Sequence, residues 1–127
     1  MRLASRAFTL VELMVVLVIV GILATIAVNS FFESAEKARD REAQANLKLI
    51  SAAEKIYRLE NNGYVALNNA AEINQVLRLT IPVDNKHWTY SVTCSCATCF
   101  TATAQRNWSK TPKSCTIDQD DDEPACS

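Results

Sequence analysis

Phe8-Thr9-Leu10-Val11-Glu12-Leu13-Met14-Val15-Val16-Leu17-Val18-Ile19-Val20-Gly21-Ile22-Leu23-Ala24-Thr25-Ile26-Ala27-Val28 is an apolar run interrupted by one acid. About 20 apolar residues wound as a helix cross the roughly 30 Å hydrocarbon layer of a bilayer. Residues 8–28 therefore read as a membrane segment, preceded by the basic leader Met1-Arg2-Leu3-Ala4-Ser5-Arg6-Ala7. Positive charge ahead of an apolar segment holds that end in the cytoplasm, which predicts a single pass with the C-terminal part exported. Glu12 is the difficulty. A charge at the centre of a bilayer costs on the order of 3 kcal/mol on insertion scales and needs a partner. Removing the leader between Ala7 and Phe8 would create one, a new α-amine with an ordinary pKa of about 8. One helical turn separates that amine from its own Glu12, whereas the amine of a neighbour staggered along the axis can meet it.

Past the apolar run, Ser30 to Asn62 contains no Pro or Gly. Apolar residues recur at Ala35, Ala38, Ala45, Leu49, Ala53, Ile56 and Leu59 or Tyr57, a helical spacing that predicts one buried face. Glu33 with Lys37 and Glu54 with Arg58 are favourable i,i+4 pairs of a solvated face. Asn61-Asn62-Gly63 tolerates the left-handed conformation that ends helices. One helix from Phe8 to Asn61 is expected, on the order of 80 Å long.

Asn68-Asn69-Ala70-Ala71-Glu72 looks like a capped helix start, with Ile73, Val76, Leu77 and Leu79 on one face and Pro82 as the stop. His87 to Cys94 and Phe100 to Ala104 alternate with period two, as half-buried strands do, and Cys115-Thr116-Ile117-Asp118 is a weaker third strand. The expected class is α+β: a long N-terminal transmembrane and amphipathic helix packed on a small three-stranded antiparallel sheet. The organisation that follows is a leader over 1–7, a membrane helix over 8–28 and an exported domain over 29–127, helical to about 62.

The chain has 127 residues, a formal net charge of −1 and five cysteines. Near-neutral charge gives no reason to expect a nucleic-acid partner. An exported location makes disulfides persistent, with Cys94, Cys96, Cys99, Cys115 and Cys126 as candidates and one necessarily left over. If Trp88, Tyr90, Val92 and Cys94 share the core face with Phe100, Ala102 and Ala104, Cys94 pairs with Phe100 across a five-residue loop. That register favours a hairpin-to-tail bridge through Cys115 or Cys126. Cys94, Cys96, Cys99 and Cys115 could instead be four zinc thiolates, a reading that export disfavours. Asp118, Asp120 and Asp122 alternate as in the opening of a calcium loop, although Glu123 stands where such a loop has Gly; the alternative is a solvated acidic tail. No nucleophile, base and orienting acid can be assembled around the lone His87, so no enzyme activity is expected.

The stretch Arg6-Ala7-Phe8-Thr9-Leu10-Val11-Glu12-Leu13-Met14-Val15-Val16-Leu17-Val18-Ile19-Val20-Gly21-Ile22-Leu23-Ala24 resembles the leader and N-terminal helix of type IV pilins and pseudopilins. The resemblance implies a prepilin peptidase that cuts between Ala7 and Phe8 and methylates the Phe8 amine. It makes Glu12 the family's glutamate, pairing with that amine between subunits. Two residues depart from the family pattern: Ala7 stands where Gly is usual before the cut, and Asn29 where the family commonly has proline. Without a proline that kinks the helix, a straighter helix is expected.

The resemblance further implies a structural subunit of a filament, expected here to be a pseudopilin of type II secretion. A surface pilin or a DNA-uptake pseudopilin are the alternatives within the family. Its partners would be further copies of itself, minor pseudopilins, prepilin peptidase, an inner-membrane assembly platform and membrane lipid. Its location would be the bacterial inner membrane, with the C-terminal domain periplasmic, and then the filament. Major pseudopilins carry calcium in a C-terminal loop, so calcium is the cofactor implied, though none is certain. A reading of another class takes Thr25-Ile26-Ala27 as an ordinary secretory cleavage site, which would release a small disulfide-rich or metal-binding protein.

Overall fold

A computed structural model describes residues 8–107 and 113–127. The chain divides into two compact units, Met1–Ala38 and Arg39–Ser127. Helix α1 runs through Leu10–Asn61, 52 residues, and passes Asn29 without interruption. The expected cation–anion pair Lys37–Glu33 forms, with Nζ donating to Oε1 at 2.6 Å on an exposed face.

In the second unit the buried face of α1 is not the one expected. Ala43, Leu47, Ile50 and Glu54, with Ser51, are covered, whereas Ala45, Leu49, Ile56 and Leu59 remain exposed and Ala53 and Tyr57 are only half-buried. Both sets recur at three- and four-residue steps, so periodicity alone could not choose between them. The buried stripe includes a polar residue: Glu54 turns inward, its Oε2 accepting from the Val65 N–H at 3.2 Å. It does not lie on the solvated face with Arg58, whose guanidinium donates to the Tyr64 hydroxyl at 3.2 Å and sits 5.1 Å from that ring's centre.

Helix α2 spans Ala70–Leu77 and begins at Asn69, whose side chain accepts from the Glu72 N–H at 2.9 Å. Glu72 reaches back to the Asn68 N–H at 2.8 Å, completing a reciprocal cap. The helix ends before Pro82, because Arg78 adopts the left-handed conformation at φ 54°. The Asn74 carboxamide then fastens the exit by pairing with both the N–H and the carbonyl of Ile81 at 2.7 Å.

The sheet has four strands, not three, in the order β1 Trp88–Cys96, β2 Cys99–Arg106, β3 Ser114–Asp118 and β4 Ala125–Cys126, each antiparallel to its neighbour. The added strand β4 has two residues and pairs Cys115 with Cys126. A segment that short carries no readable alternation. The expected core register holds through Tyr90↔Ala104 and Val92↔Ala102, then shifts at a bulge between Thr93 and Cys96. The hairpin consequently closes on Cys96↔Cys99 across Ala97-Thr98, in place of a five-residue loop with Cys94 opposite Phe100. Trp88, Tyr90, Val92, Phe100, Ala102, Ala104, Cys115 and Ile117 form the sheet's side of the core, against Leu47, Ile50 and Ile73. Each large side chain covered in this way contributes about 1.5–3 kcal/mol. Two buried polar tips are matched: Trp88 Nε1 donates to the Arg39 carbonyl at 3.1 Å, and Asn46 Nδ2 to the Tyr90 hydroxyl at 2.8 Å. Burial pushes the Tyr90 phenol up, partly offset by Asn46.

Candidate functional site

The assembly residues expected at the N-terminus are Ala7, Phe8 and Glu12. Ala7, with the rest of the leader, lies outside the described residues. Phe8 is 80% exposed, and Glu12 is exposed in the first turn of α1. Thr9 precedes that turn: its Oγ1 accepts from the Glu12 N–H at 3.2 Å and its carbonyl from the Leu13 N–H at 3.2 Å. Thr9 and Glu12 therefore stand as helix cap and third helical residue, the spacing in which a hydroxyl caps one end and an acid three residues later favours the other. An acid in the first turn is also favoured by the positive end of the helix dipole. Glu12 thus has a local reason for its position. The apolar run overshadows Thr9 in the sequence, although Thr-x-x-Glu is itself a readable start signal.

From Leu10 to Val28 every residue is exposed, and the window of highest hydropathy has no buried share. The helix is long and apolar enough to cross a membrane. Contiguous apolar surface on this scale marks a membrane or a protein interface.

The cysteines pair as Cys96–Cys99 within the hairpin and Cys115–Cys126 between β3 and β4, which leaves Cys94 free. The expected hairpin-to-tail bridge is not formed. The bulge brings Cys96 opposite Cys99, and the unexpected strand β4 supplies Cys115 with its partner. With Cys96, Cys99 and Cys115 oxidised, a four-thiolate zinc site is not assembled. The Cys115–Cys126 bridge closes a separation of 11 residues, worth about 3 kcal/mol on a chain-entropy estimate.

The acidic tail is dispersed. The Asp118 N–H points to Asp121 Oδ2 at 3.4 Å, Asp120 accepts from Gln119 Nε2 at 2.9 Å, and Glu123 pairs with Lys48 at 2.5 Å. Asp121 and Asp122 line a hollow of about 190 Å³ shared with Lys48 and Lys55, so cations of the chain already face them. Among the described residues, no three His, Cys, Asp or Glu side chains gather as a group able to hold a metal ion.

At the other end of the sheet, the ends of β2 and β3 are tied together. The Arg106 N–H donates to the Lys113 carbonyl at 3.0 Å, and Asp40 accepts from Lys113 Nζ at 2.9 Å with the Arg106 guanidinium 3.9 Å away. The sequence linking the two strands, Asn107-Trp108-Ser109-Lys110-Thr111-Pro112-Lys113, combines an aromatic residue with two lysines.

Comparison with known proteins identifies both parts of the chain. Residues 2–28 match the family described as the prokaryotic N-terminal methylation motif, and residues 29–117 match the family described as type IV minor pilin ComP, DNA uptake sequence receptor. The type IV major pilin protein PilA of Myxococcus xanthus is 42% identical over 60 residues, covering 47% of this chain and 27% of the relative. The type II secretion system core protein G of Escherichia coli is 37% identical over 68 residues, 54% of this chain and 47% of the relative. Its counterpart in Pseudomonas aeruginosa is 37% identical over 71 residues, 56% and 50%. The chain therefore spans half or less of the length of these relatives. No solved structure matches. Pilins and pseudopilins are structural, non-enzymatic subunits, and their N-terminal apolar helix is consistent with membrane anchoring. Carrying the methylation motif on its apolar helix and the ComP domain across α1, α2 and the first three strands, the chain belongs to the type IV minor pilin ComP family within the type IV pilins.

Proposed function

We propose that the chain is an exported, membrane-anchored subunit of a type IV pilus-like filament that serves DNA uptake, and that its second unit contacts duplex DNA. The observation that carries this reading is the reach of the ComP match, which runs over residues 29–117. The secretion relatives cover only about half of the chain. Charge balance alone gives no reason to expect DNA; the family match is the reason to test for it. Lys110, in the sequence between β2 and β3, adds chemical support, since lysines neutralise phosphates.

In this reading prepilin peptidase cuts between Ala7 and Phe8 and methylates the new amine. The apolar helix first rests in the inner membrane, with the second unit periplasmic, and afterwards packs against other copies in the filament. There the Phe8 amine of one subunit meets Glu12 of the next, so that assembly neutralises both charges. An assembly platform and further pilin subunits complete the machine.

The test is binding of the full chain, held in detergent, to short DNA duplexes across a salt series. Binding should weaken steeply with salt, and Lys110→Ala should reduce both affinity and salt slope, by about one unit of slope. Absence of binding at low salt, together with a secretion defect when the gene is removed, would favour the second reading. In that reading the chain is a type II secretion pseudopilin, as the similarity to core protein G suggests.

A further inference from the structure

Ala45, Leu49, Ala52, Ile56 and Leu59 have the spacing of a buried face, yet all five are exposed, Leu49 at 54%, Ile56 at 59% and Leu59 at 84%. Their steps of four, three, four and three residues are those of a heptad seam, with Leu49 and Ile56 at its first positions and Ala45, Ala52 and Leu59 at its fourth. At about 100° per residue this seam lies on the side of α1 opposite Leu47, Ile50 and Glu54. The helix therefore has two apolar faces in the second unit. Its own core covers one of them. The seam stops upstream at Glu42, which stands at the next first position and accepts from Asn85 Nδ2 at 2.8 Å.

The residues beside the seam select its occupant. Lys48 and Lys55 each precede a first position, and Glu60 follows the fourth position held by Leu59. In a parallel pair of such helices in equal register, the residue before a first position meets, on the other helix, the residue five places further along. Lys55 of each copy then meets Glu60 of the other, twice by symmetry. Lys55 and Glu60 are both exposed, and neither makes an ion pair among the described residues; Lys55 only shares its hollow with Asp121 and Asp122. An antiparallel pair would instead bring Lys48 of one copy to Lys55 of the other, like against like. Packing agrees with the parallel pair. Ile56 would seat among Ala52, Lys55, Ile56 and Leu59 of the second copy, and alanines at two fourth positions let the helices approach closely.

We propose that a second copy of this chain covers the stripe 45–59, parallel and in equal register, so that subunits rest in the membrane as pairs. Two heptads associate weakly in water. Apolar helices anchored in one bilayer hold the copies parallel and raise their effective concentration. The pairing rests on the membrane anchoring of the proposed function and holds whichever filament the chain serves. Equal register is not the stagger by which a Phe8 amine meets Glu12 of a neighbour, so the pair precedes assembly and parts or slides on entering the filament.

The test is oxidative cross-linking of the full chain in membranes of the cells that make it, in a Cys94→Ser background that keeps the two native disulfides. Recovery in the membrane fraction checks the anchoring separately from the pairing. Ala52→Cys and Ala45→Cys should each give at least about tenfold more disulfide-linked dimer than Arg58→Cys, which is exposed on another side of α1. Adding Glu60→Lys to Ala52→Cys should lower the dimer at least about threefold, and adding Lys55→Glu as well should restore it. Equal yields at Ala52 and Arg58, or linkage of Ala52→Cys to a protein other than this chain, would overturn the proposal. So would a mixture of Ala45→Cys and Ala52→Cys chains that cross-links better than either alone, since that reports a stagger of one heptad, or a dimer yield that ignores Glu60→Lys.

Discussion

Glu12 and Glu54 belong to one helix, yet each is placed by a different kind of structure. Glu12 sits in an exposed first turn, capped by Thr9 and followed by apolar side chains that no described residue covers. Glu54 is enclosed by a core built from α1, α2 and the sheet, and is bonded to the Val65 backbone. Among the described residues the first part of α1 has no interior of its own, and in the proposed function its apolar surface is satisfied by lipid or by other copies of the chain. The second part buries one face within the chain. Substitutions in the two parts should therefore separate assembly from stability.

The largest separation is expected between two leucines. Leu47→Ala removes a fully buried side chain and should cost about 2–5 kcal/mol in urea unfolding of the second unit. Leu17→Ala, at an exposed position, should change that value by less than about 0.5 kcal/mol. An equal cost at both would break the comparison. Next in size is the tail: replacing Cys115 and Cys126 together by Ser should cost about 3 kcal/mol, checked by the same unfolding measurement. Smaller again, Asn69→Ala removes the α2 cap and should cost about 1 kcal/mol.

The smallest effect belongs to Glu54 and depends on pH. Burial raises its carboxyl above the unfolded value near 4.5, only partly offset by the Val65 N–H. Folding thus favours the protonated form. The cost of keeping the group ionised is absent below the unfolded value and grows as pH rises through the folded one. Glu54→Gln keeps an acceptor for Val65 without the charge. Thermal melts should place it level with wild type below about pH 4 and above wild type at pH 7.5. A variant less stable than wild type at pH 7.5 would mean that the hydrogen bond outweighs the burial of charge.

What the sequence disclosed follows the same division. The apolar run, the leader and Glu12 could be read directly, because a membrane-length segment with one acid has few physical explanations. The core faces of β1 and β2 were also legible, since Trp88, Tyr90 and Val92 alternate cleanly against Phe100, Ala102 and Ala104. The buried face of α1 was not. Two stripes of similar spacing compete there, and the one that wins includes a glutamate whose partner is a backbone N–H eleven residues away. The disulfides were hidden for a related reason. A bulge changes which residues face each other without changing the alternation on either side of it, and β4 is too short to show any alternation.

The proposal at the centre is that Glu12 serves assembly beyond its local part in the first turn of α1. The most direct measurement is filament yield, by sedimentation and electron microscopy, for Glu12→Ala beside wild type, with the amount of membrane-inserted protein and its disulfides checked in parallel. The account predicts a normally inserted, normally oxidised chain whose filaments fall at least about tenfold, the equivalent of 1.4 kcal/mol or more. Wild-type filament yield from Glu12→Ala would contradict it.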